Sequence, residues 1–257
     1  MMLAKRIIPS LLHHGTVLIK GQRFDGWRSV GHVQQAARIH AARGVDELLI
    51  LDIGASKECR GPNINLIRQL TDNNFIPVTV GGGITCVEEV KAVLNAGADK
   101  VAIGTGLRDL DEMRLISERY GKQALVALVD VNARGRPVDW PDFEAVVWDF
   151  TMKQPATKMG VVKFAVQCAT FAGEIVLTAV DREGTMLGYD LDLIRLVTEA
   201  VDIPVIAHGG CSGYEDMLNA IKAGASAVAA GALFEFTDCT PRGAALYLAE
   251  HGIEVRL

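Results

Sequence analysis

Short, nearly continuous runs of apolar residues recur along the chain, and stretches with the periodicity of amphipathic helices separate them. The apolar runs predict eight buried strands, at 6–12, 47–53, 76–81, 100–104, 124–130, 174–180, 203–208 and 226–231. Helical periodicity is clearest in VQQAARIHAARG, VEEVKAVLNAG, LDEMRLISERYG, LDLIRLVTEAV and YEDMLNAIKAG. Buried strands that alternate with helices are typical of a parallel sheet covered on both faces.

The second half of the chain repeats part of the first. Residues 76–106 and 203–233 align without a gap at an offset of 127 residues, with 12 identities in 31 positions. A repeat of about half the chain, together with eight strands, predicts one α/β domain over 1–257, a (β/α)₈ TIM barrel built from two half-barrels. A doubly wound open sheet is the alternative interpretation, and the length would also accommodate two small domains. The stretch 133–157 fits the alternation worst and is predicted to be an elaborated loop.

Composition and charge exclude several classes of protein. Apolar residues make up 49% of the chain, charged residues 22%, and the net charge is −5, which indicates a soluble globular protein without an affinity for nucleic acid. No apolar run reaches the ~18 residues of a membrane span, and the N-terminus is no signal peptide. The five cysteines are scattered and read as reduced thiols. We therefore expect a cytoplasmic protein with no metal site and no cofactor.

Glycine-rich turns follow four of the predicted strands, as two symmetric pairs in the two halves. Glycine allows backbone N–H groups to approach an anion closely, and each turn leads into a helix N-terminus, which favours phosphate. The pattern predicts a site for a ligand with two phosphates at the top of the barrel; the alternative is that the glycines only form tight turns. The candidate residues are Gly82, Gly83, Gly104, Thr105, Gly209, Gly210, Gly231 and Ala232.

Acidic and imidazole side chains also stand at the ends of predicted strands. Asp130 ends the fifth strand, whereas Leu12 occupies the counterpart position on the first strand, across the barrel. Acid–base chemistry commonly uses two opposed groups, and only one of them is present here as a carboxylate. His13 and His14 follow Leu12 and could substitute, although exposed loop histidines are more often only solvated. Further acids at strand ends or in the following loops are Asp52, Asp181 and Glu183.

Charged residues stand at the opposite ends of several strands. Arg6, Glu47, Lys100 and Glu174 begin the first, second, fourth and sixth predicted strands, and Asp99 precedes Lys100. Their side chains would point into the bottom mouth of the barrel and could close it as a ring of two cations and two anions. Because features of this face usually serve stability, the residues alone favour a structural role.

Several motifs closely resemble the cyclase subunit of imidazole glycerol phosphate synthase. They are MLAKRIIP, GVDELLILDI, PVTVGGGI, AGADKV, GEIVLTAVDREGT, GYDLDLIRLV and the C-terminal HGIEVRL. The resemblance covers nearly the whole chain and is weakest at 131–170. It implies a (β/α)₈ barrel that binds a triad glutaminase at its bottom face. Ammonia from the glutaminase would pass through the barrel and react at the top with a bisphosphorylated ribulosyl-carboxamide.

The resemblance also implies roles for individual residues at both ends of the barrel. It matches Asp99 to the interface acid that signals to the glutaminase, and the four charged residues of the bottom mouth to the ammonia gate. At the top, Asp130 matches one of two catalytic aspartates, and Leu12 replaces the other. The substrate-contact positions that match are Lys20, Asp52, Gly83, Thr105, Thr178, Gly184, Thr185 and Gly210. The positions that depart are Ser10 for the usual Cys, Gly104 for Asn, Glu183 for Asp and His208 for Ser.

The first strand, RIIPSLL, resembles a side branch of the same family. These cyclase-like proteins are associated with glycosyl amidation in surface polysaccharide synthesis and are thought to pass ammonia to a separate sugar amidotransferase, which converts an acetamido group to acetamidino. We therefore expect an ammonia-channelling subunit of a glutamine amidotransferase complex, whose own cyclase activity is weak or lost because of Leu12. One alternative is a working cyclase in histidine synthesis, in which His13, His14 or Glu183 covers the missing acid. Another is a non-catalytic activator of the glutaminase.

Overall fold

The structure is a computed structural model that describes residues 4–72, 75–132, 148–149, 154–155 and 160–257. Most of the stretch 133–157, predicted to be an elaborated loop, lies outside the described residues. The described strands are β1 (Arg6–His14), β2 (Val17–Gln22), β3 (Asp25–His32), β4 (Leu48–Asp52), β5 (Val78–Gly81), β6 (Lys100–Ile103), β7 (Leu125–Val131), β8 (Trp148–Asp149), β9 (Gln154–Pro155), β10 (Glu174–Ala179), β11 (Val205–His208) and β12 (Ala227–Ala230).

Helices follow most of the strands. They are α1 (Val33–Ala42), α2 (Ile64–Thr71), α3 (Val87–Asn95), α4 (Leu110–Tyr120), α5 (Val161–Cys168), α6 (Leu191–Thr198), α7 (Tyr214–Lys222), α8 (Ala232–Phe236) and α9 (Pro241–Glu250). The five helices predicted from periodicity correspond to α1, α3, α4, α6 and α7, and all five are confirmed. In the described part of the chain, no helix has the length and apolar character needed to cross a bilayer.

Eight of the strands close into a parallel barrel in the order β1–β4–β5–β6–β7–β10–β11–β12. The barrel closes because β12 pairs with β1, from Arg6 opposite Ala227 to Pro9 opposite Ala230. The predicted (β/α)₈ barrel is therefore confirmed. An open doubly wound sheet is excluded, since such a sheet would leave two edge strands unpaired.

The two halves of the barrel repeat one another down to single contacts. Thr71 and Thr198, which are 127 residues apart, end α2 and α6. Their hydroxyls donate to the carbonyl oxygens of Ala96 at 2.7 Å and Ala223 at 3.3 Å. The following glycines have positive φ angles, +104° at Gly97 and +113° at Gly224, and a Cβ on either would lie 2.5 Å from the threonine hydroxyl. The half-barrel repeat seen in the sequence is thus a repeat of packing as well.

Alternating residues of the strands fill the barrel in layers. On β1, Ile8, Ser10 and Leu12 point inward by alternation, and Ile7 and Leu11 pack against the surrounding helices. The middle layer is apolar and contains several small side chains, namely Ile8, Leu49, Ala102, Val126, Val176, Ile206, Ala227 and Ala229. This layer separates the charged bottom of the barrel from the cavity at its top.

The hairpin formed by β2 and β3 was not predicted from the sequence. Its tip reaches across the top of the barrel, where the backbone N–H of Arg23 donates to the carbonyl oxygen of Glu183 at 2.9 Å. The Arg23 guanidinium donates to the carbonyl oxygen of Asp181 at 3.1 Å. Most side chains of β3 are exposed and polar, so the strand lacks the apolar alternation that reveals a half-buried strand. The hairpin brings Phe24 and Trp27 to the cavity at the top.

Candidate functional site

The four charged residues at the bottom of the barrel form a closed ring of ion pairs. Arg6 contacts Glu47 at 2.6 Å and Glu174 at 2.9 Å, and Lys100 contacts the same two carboxylates at 3.2 and 3.0 Å. The hydroxyl of Thr79 donates a further hydrogen bond to Glu47 at 2.5 Å. Glu47 is the most buried member, with its side chain 4% exposed. The ring is neutral in sum, so each charge is compensated inside it.

Two aspartates beside the ring accept hydrogen bonds from backbone N–H groups. The carboxylate of Asp99 accepts from the N–H of Val78 at 2.8 Å, and that of Asp46 accepts from the N–H of Ile7 at 3.0 Å. Asp99 is exposed and therefore keeps a free side toward solvent. Nearby, in the connection that leads into β5, Phe75 is 97% exposed. This exposure could not be predicted from the sequence, because one aromatic residue in a loop carries no periodicity.

A cavity of about 860 Å³, counting the space open to solvent, occupies the top of the barrel. The predicted site residues that line it are Leu12, Asp52, Gly82, Gly83, Gly104, Thr105, Asp130, Thr178 and His208. Its apolar walls are Leu51, Ile53, Ile84 and Leu128, with Phe24 and Trp27 from the hairpin. The side chains of Asp130 and Leu12 thus line one cavity. An acid–base pair would have a second carboxylate at the position of Leu12, and the cavity is apolar there.

Two polar residues follow Asp130 on the next two strands of the barrel. Thr178 lies opposite Asp130 in the register of β7 and β10, and opposite His208 in that of β10 and β11. The Thr178 hydroxyl lies 3.2 Å from Nδ1 of His208. Burial raises the pKa of Asp130 to about 7; the neighbouring Thr178 hydroxyl opposes that shift, and the charge of Glu183 adds to it. Burial lowers the pKa of His208 to about 4, and the nearby Lys20 ammonium acts in the same direction.

Glycines of the second half-barrel line a smaller cavity beside His208. It is lined by Glu183, Gly184, Met186, His208, Gly209, Gly210, Cys211, Ala229, Ala230, Gly231 and Ala232. The ammonium group of Lys20 is buried at its edge, 3.3 Å from the carbonyl oxygen of Ser10. Burial lowers the pKa of Lys20, while the charges of Glu235 and Glu183 oppose that shift. Thr185, also expected to contact the ligand, donates its hydroxyl to the carbonyl oxygen of Arg182 within the loop.

Packing explains part of the glycine pattern without any ligand. A Cβ on Gly82 would lie 2.3 Å from the carbonyl oxygen of Asp52, and one on Gly210 would lie 2.3 Å from that of Gly188. Gly104 differs, because a Cβ there would find its nearest neighbour, Leu128, at 3.6 Å, an ordinary contact. The tight-turn interpretation therefore accounts for Gly82 and Gly210, whereas it leaves Gly104 unexplained.

The remaining acids and histidines at the rim are already paired. Asp52 accepts two hydrogen bonds from the Arg60 guanidinium, at 2.7 and 3.0 Å. His14 is exposed and contacts Glu58 at 2.5 Å. The buried ring of His13 is hydrogen-bonded to the carbonyl oxygen of Gly15 at 2.8 Å. Neither histidine lines the cavity of Asp130.

Sequence patterns do not reveal the positions of Arg60 and His208 in the site. Arg60 stands in a loop without a recognisable motif, and only the fold brings it to Asp52. His208 stands where the resembling family has Ser, and this departure alone indicates no role. Within the described residues, no cluster of three or more His, Cys, Asp or Glu side chains could hold a metal ion.

Comparison with known proteins adds two findings. The family model described as "Histidine biosynthesis protein" matches residues 6–240. The chain is also 38% identical, over 260 residues, to the "Imidazole glycerol phosphate synthase subunit HisF" of Dictyoglomus thermophilum. That alignment covers 100% of both chains.

Proposed function

The chain belongs to the histidine biosynthesis protein family, and we propose that it is the cyclase-type barrel subunit of an imidazole glycerol phosphate synthase. The full-length similarity to the synthase subunit of Dictyoglomus thermophilum carries the proposal. In this role the barrel binds a glutaminase at its bottom face, receives ammonia and uses it at the top on a bisphosphorylated ribulosyl-carboxamide. The comparisons support this alternative better than the expected role in surface polysaccharide synthesis.

The bottom of the barrel suits the entry of ammonia. The ion-pair ring leaves no net charge at the mouth, and the apolar layer above it contains the small side chains of Ala102, Ala227 and Ala229. A neutral molecule crosses such a layer at far lower cost than an ammonium ion, which would lose its hydration. We therefore assign the ring of Arg6, Glu47, Lys100 and Glu174 to the gate that admits ammonia.

The top of the barrel suits acid–base chemistry on an anionic ligand. The raised pKa of Asp130, about 7, lies near neutral pH, where a group can both give and take a proton. Lys20 places a buried cation beside the glycine turns of the smaller cavity, which favours a phosphate there. The two glycine-lined cavities together match a ligand with two phosphates.

One observation favours a second candidate function. Leu12 faces the cavity of Asp130 and can neither give nor take a proton. A barrel without the opposed acid could still bind the glutaminase and deliver ammonia to another enzyme, such as a sugar amidotransferase. The comparisons give no support for that acceptor enzyme, so this remains the second candidate. A pure activator of the glutaminase has no observation in its favour, because the cavity and its shifted groups would then have no use.

Turnover with free ammonia separates the two candidates. The purified chain is given ammonia and the ribulosyl-carboxamide substrate, and formation of imidazole glycerol phosphate is measured. A rate of ~1 s⁻¹ or above, typical of enzymes, is expected for a working cyclase. A rate at least ~10² lower, rising in Leu12→Asp but not in the near-isosteric Leu12→Asn, would show that the missing acid limits the reaction and favour ammonia delivery.

A further inference from the structure

The side chain of Ser10 lies inside the barrel, between the apolar layer and the upper cavity. Ser10 is fully buried and points inward by the alternation of β1. It is the next inward residue after Ile8 of the apolar layer and the one before Leu12 of the cavity wall. In the register of β1 and β4 it lies opposite Leu49, which also belongs to the apolar layer. A molecule that moves from the bottom ring to the cavity therefore passes this serine.

The hydroxyl of Ser10 is buried and has no hydrogen-bond partner among the described residues. Two other inward hydroxyls do have partners. Thr79 donates to Glu47 in the bottom ring, and the Thr178 hydroxyl lies 3.2 Å from Nδ1 of His208 in the cavity. A buried hydroxyl without a partner lowers stability, because it has lost its hydrogen bonds to water. Ser10 therefore offers an uncommitted donor and acceptor in the middle of an apolar passage.

We infer that the Ser10 hydroxyl binds ammonia on its way through the barrel. Ammonia carries one lone pair and N–H groups, so it can accept the hydroxyl hydrogen and also donate to the hydroxyl oxygen. The side chains of the apolar layer below offer no hydrogen bond, and a polar molecule pays a desolvation cost there. The inference rests on the proposed function for the source and the fate of ammonia, whereas the binding site is a property of the free protein.

The charge nearest to Ser10 favours ammonia over the ammonium ion. The ammonium group of Lys20 lies 3.3 Å from the carbonyl oxygen of Ser10, so a second cation at this buried position would be repelled. An ammonium ion also has no lone pair and could not accept the hydroxyl hydrogen. Water has the same kinds of hydrogen-bonding group as ammonia, and it is the competitor that ammonia has to displace in a titration.

Binding is measured in the free protein by nuclear magnetic resonance. The full chain carries ¹³C in its isoleucine and leucine methyl groups, and ammonia is added at one alkaline pH and constant ionic strength. We expect the signals of Ile8 and Leu49 to shift saturably, at an ammonia concentration at least about fivefold lower than in Ser10→Ala. Ser10→Cys, which keeps the shape but hydrogen-bonds weakly, should fall between the two. Equal shifts in Ser10→Ala, or none in the unmutated protein, leave water as the occupant and overturn the site.

Unfolding in urea shows whether the hydroxyl is uncommitted. Loss of a hydroxyl that has no partner should not weaken the fold, so the midpoint of Ser10→Ala is expected at the same or a higher urea concentration than that of the unmutated protein. A clearly lower midpoint would mean that the hydroxyl is bonded within the protein, and it would overturn the inference.

Turnover then tests whether the site lies on the path of ammonia. With a glutaminase subunit and glutamine, the ratio of imidazole glycerol phosphate formed to glutamine hydrolysed should fall at least about threefold in Ser10→Ala, while kcat with saturating free ammonia stays within about twofold. Ser29→Ala, which removes an exposed hydroxyl of β3, should leave the ratio unchanged. An unchanged ratio in Ser10→Ala overturns the inference. If the unmutated protein forms no product while Ile8 and Leu49 still report saturable binding, the proposed function fails and the ammonia site is supported.

Discussion

The two ends of the barrel handle buried charge in opposite ways. At the bottom, Arg6, Lys100, Glu47 and Glu174 neutralise one another within 3.2 Å. At the top, burial acts on groups that lack such partners, so the pKa of Asp130 rises to about 7 and that of His208 falls to about 4. Fixed, compensated charges suit a gate, whereas groups that are nearly neutral at working pH suit proton transfer.

The difference follows from what each strand presents at its two ends. Four of the eight barrel strands bring a charged side chain to the bottom, with signs that complement one another. The top layer mixes glycines with leucines such as Leu12, Leu51 and Leu128, which cannot compensate a charge. The neighbour of Asp130 in register is Thr178, and a neutral hydroxyl compensates a carboxylate less than an ion pair does.

The same substitution should cost much more stability at the bottom of the barrel than at the top. Glu47→Gln leaves Arg6 and Lys100 sharing one carboxylate in a buried site, and we expect the free energy of unfolding to fall by about 3 kcal/mol. Glu183→Gln is the matched control, because burial raises the pKa of Glu183 and its charged form is already disfavoured. That variant should lose less than about 1 kcal/mol, or gain stability. Both values come from urea denaturation at neutral pH, and equal losses would contradict the contrast.

Substitution of two glycines at the top should distinguish a role in packing from a role in ligand binding. Gly210→Ala places a Cβ 2.3 Å from the carbonyl oxygen of Gly188 at a φ of +101°, so we expect a loss of about 2 kcal/mol in the free energy of unfolding. Gly104→Ala has room for its Cβ and should change stability by less than about 0.5 kcal/mol. If Gly104 serves a phosphate, its variant should nevertheless bind inorganic phosphate more weakly. Unchanged phosphate affinity in Gly104→Ala would restrict the glycines to a role in turns.

Much of this architecture was readable from the sequence, since long-range order here follows from local periodicity. Eight apolar runs and a repeat at 127 residues sufficed for the barrel, because each strand–helix unit closes on its neighbour in the same hand. The hairpin of β2 and β3 escaped prediction because it packs over the mouth rather than into the core. Its one clear signal, Trp27 among polar residues, has no period.

The site could be predicted only to the level of strand ends. The position along each strand places Asp130 and Leu12 at the top and the charged residues at the bottom. The alternation of side chains along a strand then decides which of them point into the barrel. Which partners these groups meet depends on tertiary contacts between distant segments. His13 and His14 directly follow Leu12 in the sequence, yet His208 is the imidazole that lines the cavity of Asp130.

The exposed carboxylate of Asp99 should matter for the partner and hardly for the fold. Asp99→Asn can still accept the N–H of Val78, so the chain keeps that hydrogen bond and loses only the charge. We expect stimulation of a glutaminase subunit to fall about tenfold, or ~1.4 kcal/mol, in a titration of glutamine hydrolysis against barrel concentration. Asp46→Asn is the matched control, since Asp46 makes the equivalent bond to Ile7. Similar stimulation by both variants would argue against the bottom face around Asp99 as the docking surface.

The smallest expected effect is the net dependence of stability on pH in the unmutated protein, because two larger contributions nearly cancel. The pKa of Asp130 rises from 3.8 to about 7 on folding, so between these values the native state holds a proton that the unfolded chain has lost, and stability falls as pH rises. The pKa of His208 falls from 6.5 to about 4, so there the unfolded chain holds the extra proton, and stability rises with pH. The two contributions oppose each other in the unmutated protein.

A variant that removes one of the two groups should therefore show how the other group alone makes the free energy of unfolding depend on pH. Relative to the unmutated protein, the free energy of unfolding of Asp130→Asn should increase by ~3 kcal/mol as pH rises from about 4 to about 7, while that of His208→Gln should decrease by a similar amount. The double variant lacks both contributions, so its curve should run parallel to that of the unmutated protein. Denaturant titrations at several pH values measure all four curves. Slopes of the same sign in the two single variants would contradict the opposite shifts at the top of the barrel, and with them the contrast to the compensated ring below.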